Sequence, residues 1–324
     1  MSQTEIKAAA HRIQPYLPPT PVVKSVHYSE RLGADIYLKL ESLQPTHSFK
    51  VRGAFNAALS LSNDKRNRGL VTATGGNHGL ALAHIARELD TPATIFVPES
   101  TTPERRALIQ EYGARVIVHG RDWDDANDMA VQFSSEEHRT YIHPFDNSHM
   151  IAGAGTIVPE IVEQIGQVDL IVAAIGGGGL IAGILEATRT YSPGARVVGV
   201  ETKGADSMYQ SVEEGQIIEL PAITSIVTSL AARQPGQMTF EIVEKAVSDL
   251  VTVSDKEAVA EALILLENDK LLVEPAASCC LAALTSRRIS FQAGEKVVVI
   301  MCGGNISLAD LQNWSQRFSL LSAG

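Results

Sequence analysis

An unbroken apolar run, Leu170-Ile171-Val172-Ala173-Ala174-Ile175, leads straight into Gly176, Gly177, Gly178 and Gly179, then into a second apolar stretch from Leu180 to Arg189. A half-exposed strand alternates apolar and polar residues, whereas a strand without alternation must be covered on both faces. In proteins that is the condition of a parallel strand between layers of helix. The glycines then turn the chain from strand to helix within a few residues. This stretch commits the chain to an α/β layered architecture.

The same order of strand, polar or glycine-rich loop and helix recurs along the chain. Leu70–Ala73 precedes Gly75-Gly76-Asn77 and a helix from Leu80 to Leu89; Ala93–Val97 precedes Thr102-Pro103-Glu104, a helix start, and a helix to Tyr112. Val116–Val118, a helix from Trp123 to Ser134 and Thr140–Ile142 follow. After a helix around Gly155–Gln164, the strands Arg196–Val200, Val251–Val253 and Lys296–Met301 complete a second series, with Ser254 and Glu257 spaced as a capping box and a further helix over Ala276–Thr285. Nearer the N-terminus, a helix over residues 4–14, a proline-rich connector Pro15–Pro21, a strand Ile36–Leu40 and a helix Val51–Leu61 are expected. Residues 202–235 are broken by glycine and proline and predict only loops and short elements. The expected fold class is α/β, with two open, mainly parallel sheets covered by helices. Residues 69–146 are expected to form a small domain inserted into a discontinuous large one, 1–68 and 147–324, and no appended regulatory module is expected.

Charge narrows the partners. Against 27 Lys and Arg stand 37 Asp and Glu, a net charge of −10 with no basic block. Nucleic acid and anionic membranes, which need concentrated positive surface, are therefore poor partners. No run reaches the ~20 apolar residues that span a bilayer, and the start Met-Ser-Gln-Thr-Glu lacks a signal-peptide pattern. Cys279, Cys280 and Cys302 give neither a disulfide framework nor paired metal spacing. A soluble, cytoplasmic protein is expected.

Glycines between a buried strand and a helix let backbone N–H groups and the helix dipole converge on an anion, so Gly176–Gly179 reads as a phosphate cup; tight strand–helix packing is the alternative. The stretch lacks the Gly-Lys-Thr/Ser of a triphosphate loop and the GxGxxG of a dinucleotide site. Lys50, between Phe49 and Val51 where a strand gives way to a helix, is either a surface lysine or a partly dehydrated amine nucleophile. An imine-forming amine together with a monophosphate cup suggests pyridoxal phosphate. Asn77 suits an uncharged partner for a ring oxygen, or is simply a turn former.

Taken in order, Ser48-Phe49-Lys50-Val51-Arg52-Gly53-Ala54, Gly76-Asn77-His78-Gly79, Gly176–Gly179 with Leu180, Glu274-Pro275 and Gly303-Gly304-Asn305 resemble the marks of fold-type II pyridoxal-phosphate enzymes. The closest likeness is to the threonine/serine dehydratase and serine racemase family, along nearly the whole chain. The resemblance implies the tryptophan synthase β-like fold, pyridoxal 5'-phosphate as cofactor and a homodimer. It implies that Lys50 attaches the cofactor and later moves the substrate α-proton, that Phe49 lies against the ring, and that Asn77 binds its hydroxyl. Gly176, Gly177, Gly178, Gly179 and Leu180 would hold the phosphate, and Cys302 would face the pyridine nitrogen, though alone it reads equally as a small buried hydrophobe. Ser48, Thr74, Gly75, Asn77 and His78 would receive the substrate carboxylate, largely through main-chain donors; His78 alternatively packs or caps.

The reaction so implied is dehydration and deamination of a β-hydroxy amino acid, foremost L-threonine or L-serine, to a 2-oxo acid and ammonia. Serine racemase and β-hydroxyaspartate dehydratase are the alternatives within the family, and a catalytically poor, ligand-responsive regulator is the alternative outside it. Racemases of the family carry a serine where this chain has Gly75, so elimination is favoured over inversion. A second anionic group on the substrate would need a site such as Arg139, His143 or His149. Glu201 and the carbonyl of Ala205 match a divalent-cation loop of some relatives, for Mg or Ca, but Ser207 replaces the second carboxylate and a metal-free loop stays open.

Overall fold

The computed structural model describes residues 3–320. Ten strands form two sheets: β1 (Val22–Lys24), β2 (Asp35–Lys39), β3 (Leu70–Ala73), β4 (Ala93–Val97), β5 (Arg115–Val118), β6 (Thr140–Tyr141), β7 (Leu170–Ala174), β8 (Arg196–Thr202), β9 (Asp249–Val253) and β10 (Lys296–Ile300). The larger sheet runs β1-β2-β10-β7-β8-β9 and the smaller β5-β4-β3-β6. All pairings are parallel except β1 with β2, where Val22 faces Lys39. The apolar run at Leu170 lies in the middle of the larger sheet, β10 on one side and β8 on the other, with every residue of β7 buried. The expected α/β class with two mainly parallel sheets is the observed one.

Several boundaries differ from the sequence reading. The helix after β3 runs Asn77–Glu88, three residues earlier than expected at its start, so Asn77 and His78 form its first turn. A helix Ser148–Gly155 precedes Ile157–Ile165, separated at Thr156, whose hydroxyl donates to the Gly153 carbonyl. Residues 202–235 contain the helix Ser207–Glu214, and Gln237–Ala246 and Leu308–Arg317 are further helices that the sequence reading left unassigned.

The helix Lys50–Leu59 is pressed against Ser148–Gly155 through paired glycines: a Cβ on Gly153 would lie 2.5 Å from the Gly53 Cα, and one on Gly53 2.8 Å from the Met150 carbonyl. Below it lies a buried ionic cluster. Arg52, fully buried, donates from Nε and Nη2 to Glu41 at 2.7 and 2.9 Å, and from Nη1 and Nη2 to Glu160 at 2.6 and 2.7 Å. Lys39 Nζ donates to Glu160 at 2.6 Å and to the Thr20 carbonyl at 2.7 Å. An unpaired buried charge costs several kcal/mol, so this cluster holds the first turns of the helix that begins at Lys50 in one place. Among the described residues, no helix is long and apolar enough to cross a membrane.

Candidate active site

Two loops bring Lys50 to the end of β10. Phe49 N donates to the Cys302 carbonyl at 3.0 Å, Gly304 N donates to the His47 carbonyl at 2.9 Å, and Ser48 bridges Gly303. His47 accepts a left-handed conformation, φ 53°, to make this turn. Lys50 is half-buried, 5.2 Å from the Phe49 ring centroid, and its Nζ donates to the Pro144 carbonyl at 2.8 Å. Burial lowers its pKa to about 8, with Cys302 opposing the shift. At neutral pH about a tenth of the amine is then unprotonated and able to act as nucleophile or base, far more than for an ordinary lysine.

The glycines begin the helix Gly179–Tyr191, with Gly178 left-handed at φ 93°. The first N–H groups of any helix lack an intrahelical acceptor and present positive charge. The turn is held from outside: Thr239 Oγ1 donates to the Gly177 carbonyl at 2.7 Å, a Cβ on Gly177 would strike the Phe145 ring at 2.4 Å, and one on Gly176 would lie 3.1 Å from Leu230 Cα. Packing therefore demands glycine here, and the free N–H groups of the turn suit an anion. Phe145 follows Pro144, the acceptor of Lys50, so residues 144 and 145 link the amine to the cup. Sequence reasoning missed this segment, which carries no motif. Leu180 is buried behind the cup.

Asn77 joins the site from the smaller sheet. Its Nδ2 donates to Glu274 Oε1 at 2.8 Å, and its Oδ1 accepts from Asn305 Nδ2 at 2.8 Å. Glu274 and Asn305 had been noted only as members of motifs; nothing in their spacing announces that they meet Asn77. Thr74 Oγ1 accepts from Gly76 N at 3.1 Å, shaping the loop, and Thr101 packs on Gly75. The His78 ring turns inward, Nε2 lying 3.2 Å from the Ile142 carbonyl, and burial with the charge of Lys50 lowers its pKa to about 3. It is a neutral packed ring, leaving only its main chain towards the loop. Cys302 is buried, and dehydration, then the charge of Glu274, push its thiol well up, so it is a neutral group.

The candidates for a second anion separate. Arg139 stacks over Phe133, and burial, then the charge of Arg12, lower the pKa of His149 against the opposing charge of Glu5. His143 lies near Lys50, but its Nδ1 accepts from the N–H groups of Phe145 and Asp146, and burial lowers its pKa to about 4. Glu201 is buried with one oxygen accepting from Met208 N at 3.1 Å and the other from Tyr209 N at 2.7 Å, and burial raises its pKa well above the usual carboxylate range. Ala205 is buried beside it, while Ser207 donates its hydroxyl to the Ala232 carbonyl. Among the described residues, no group of three or more His, Cys, Asp or Glu is placed to hold a metal.

An amine of lowered pKa, a glycine-turned helix N-terminus, a fixed amide and a neutral thiol suit a flat aromatic aldehyde bearing one phosphate. Ser48 Oγ, fully buried two residues before Lys50 and without a hydrogen-bond partner among the described residues, is a polar atom open to such a group or its substrate. The fold and site thus define an α/β enzyme of the class that uses pyridoxal phosphate.

Comparison with known proteins gives the same class. Residues 13–303 match the model for the pyridoxal-phosphate dependent enzymes. The chain is 39% identical to an L-threonine ammonia-lyase of Geobacter sulfurreducens, covering 99% of this chain and 79% of that one. It is 36% identical to the L-threo-3-hydroxyaspartate ammonia-lyase of Saccharomyces cerevisiae, covering 99% and 96%. The structure of maize serine racemase superposes with a TM-score of 0.91 at 31% identity, covering 98% of this chain and 97% of that one. This chain belongs to the pyridoxal-phosphate dependent enzyme family.

Proposed function

We propose that this enzyme eliminates water from a β-hydroxy amino acid, with L-threonine first and L-serine second, giving a 2-oxo acid and ammonia. The observation that carries the reading is Lys50, an amine held at the start of its helix by its bond to the Pro144 carbonyl, with a pKa lowered to about 8, in a chain whose carboxylate loop has Gly75, which offers no side-chain acid. Bound pyridoxal phosphate supplies a conjugated, electron-withdrawing system that stabilises negative charge at the substrate Cα. Lys50 would hold the cofactor, and its amine would take the substrate Cα proton. Backbone N–H groups of Gly176–Gly179 and Leu180 would hold the phosphate, Phe49 would cover the ring and the Asn77 amide would address its hydroxyl. Ser48 and the main chain of Thr74–His78 would hold the carboxylate. Cys302, a neutral thiol, would leave the ring nitrogen without an acidic partner, a setting that suits elimination because the departing hydroxyl carries negative charge away from the substrate.

On this reading residues 69–146 are a small domain that closes over the cleft, excluding water and bringing the carboxylate loop to the substrate. The working unit is a cytoplasmic homodimer. A cation, Mg or Ca, at Glu201 and the Ala205 carbonyl would have to draw Glu201 away from two backbone donors, and the nearby Asp206 carboxylate is itself engaged by Gly204 N at 3.0 Å. Activity without an added divalent cation is therefore expected.

L-threo-3-hydroxyaspartate is the second reading. Arg105 favours it, because its Nη1 lies 4.0 Å from where a side chain on Gly76 would begin, a cation beside the carboxylate loop. A panel of L-threonine, L-serine and L-threo-3-hydroxyaspartate, read by 2-oxo acid, ammonia and chiral analysis, tests the proposal. Oxo acid from threonine or serine with little inversion is the expected result. Inversion outpacing elimination, or binding without turnover as in a regulatory protein, would overturn it.

A further inference from the structure

We propose that Glu274, with Asn305, is a positioning residue that sets which way round the Asn77 amide faces the cofactor. The inference rests on the pyridoxal-phosphate reading of this site and adds to it the side chains that orient its uncharged partner.

An amide presents a donor on one side and an acceptor on the other, and only its neighbours decide which is which. An ionised carboxylate can only accept. Glu274 Oε1 receives Asn77 Nδ2 at 2.8 Å and Asn305 N at 3.0 Å, so the amino group of Asn77 must be on the Glu274 side. Asn305 makes the same choice from the other end, its Nδ2 donating to Asn77 Oδ1 at 2.8 Å and to the Thr46 carbonyl at 2.8 Å. The Asn77 oxygen is thus occupied, while its amino group keeps one N–H for a ring oxygen.

Glu274 is diverted to this task. It stands at the N-cap of the helix Pro275–Thr285, where a carboxylate commonly takes the helix's own N–H groups, yet its side chain makes no capping bond. It is buried, and a Cβ on Gly303 would lie 2.8 Å from its Oε1, so the loop bearing Cys302 leaves room for it only because residue 303 is glycine. The contact also crosses between sheets: Asn77 follows β3 of the smaller one, whereas Asn305 follows β10 of the larger and Glu274 precedes the helix Pro275–Thr285 that packs on it.

The test compares Glu274→Leu, Glu274→Gln and Asn305→Ala with wild type by titrating each apoprotein with pyridoxal phosphate. Cofactor absorbance and fluorescence are recorded alongside the melting temperature of the apoprotein. A glutamine oxygen can still accept both N–H groups, so Glu274→Gln should bind within about threefold of wild type with an unchanged spectrum. Glu274→Leu should weaken binding by about tenfold or more, the loss expected of an interaction with a charged group, and Asn305→Ala by about fivefold, the loss of a neutral hydrogen bond; both should shift the cofactor band. Wild-type affinity and spectrum in Glu274→Leu, or a Glu274→Gln as impaired as Glu274→Leu, would overturn the proposal. If Glu274→Leu does not fold, the contrast between Glu274→Gln and Asn305→Ala decides by the same criterion. Failure of wild type to bind the cofactor would instead defeat the functional reading beneath it.

Discussion

Placing a serine at Gly75 is the direct way to ask whether the missing acid governs the outcome, and the structure shows why that substitution fails on its own. A Cβ on Gly75 would lie 2.3 Å from Thr101 Oγ1, 3.0 Å from its Cγ2 and 3.2 Å from its Cβ. Neither side yields easily: Thr101 is buried with its N–H donating to the Pro98 carbonyl at 3.0 Å, and the loop is held by the bond from Gly76 N to Thr74. Overpacking of this kind costs about 1–3 kcal/mol, so Gly75→Ser should lower stability by about 2 kcal/mol. Thr101→Ala deletes the two nearest atoms and leaves only the 3.2 Å contact, which a small shift relieves. Gly75→Ser combined with Thr101→Ala should therefore regain at least half of the loss, a coupling of about 1 kcal/mol or more in a double-mutant cycle. Urea unfolding of the four apoproteins measures the cycle, and chiral analysis of recovered substrate measures Cα inversion, expected to rise only in the double variant. A single Gly75→Ser as stable as wild type, with Thr101→Ala adding nothing, would refute the reasoning.

Arg52→Ala should cost about 3–5 kcal/mol, because it leaves Glu41 buried without its cation. Burial alone would raise the Glu41 pKa, but Arg52 and Lys39 outweigh it and hold the group below the usual range. The stability it contributes is thus present above the unfolded value of about 4.3 and lost as pH falls through the folded one, and acid titration of the variant should lack that component. Labelling of Lys50 in the apoprotein by an amine reagent should rise with pH around a midpoint near 8, and a midpoint near the ordinary 10.5 would contradict its dehydration. Between those values the unfolded chain keeps a proton that the folded chain has lost, so apoprotein stability should rise with pH there. Exhaustive chelation should leave turnover unchanged, and loss of activity restored by Mg or Ca would reinstate the cation at Glu201.

What the sequence revealed was local. The apolar strand at Leu170 and its glycines, the capping box at Ser254, which the structure shows complete, and the Lys50 motif each carry their signal within a few neighbouring residues. The pairing of Asn77 with Glu274 and Asn305 spans 197 and 228 residues of sequence, and no spacing rule reaches so far. The crossing at Gly53 and Gly153 was hidden for the same reason, each glycine being explained only by the backbone of the distant helix it faces. His78 was ambiguous because one histidine serves equally as ligand or as filler, and only its inward contact with Ile142 distinguishes them. The helix Leu308–Arg317 was legible but passed over, since Ser307 and Asp310 form a capping box at its start.

The central claim is that Lys50 is the amine on which the chemistry turns. Borohydride reduction of the protein incubated with pyridoxal phosphate, followed by peptide mass mapping, tests it most directly. The account predicts one pyridoxyl adduct, on Lys50, and no turnover in Lys50→Ala. An adduct on another lysine with Lys50 unmodified, or wild-type turnover in Lys50→Ala, would contradict it.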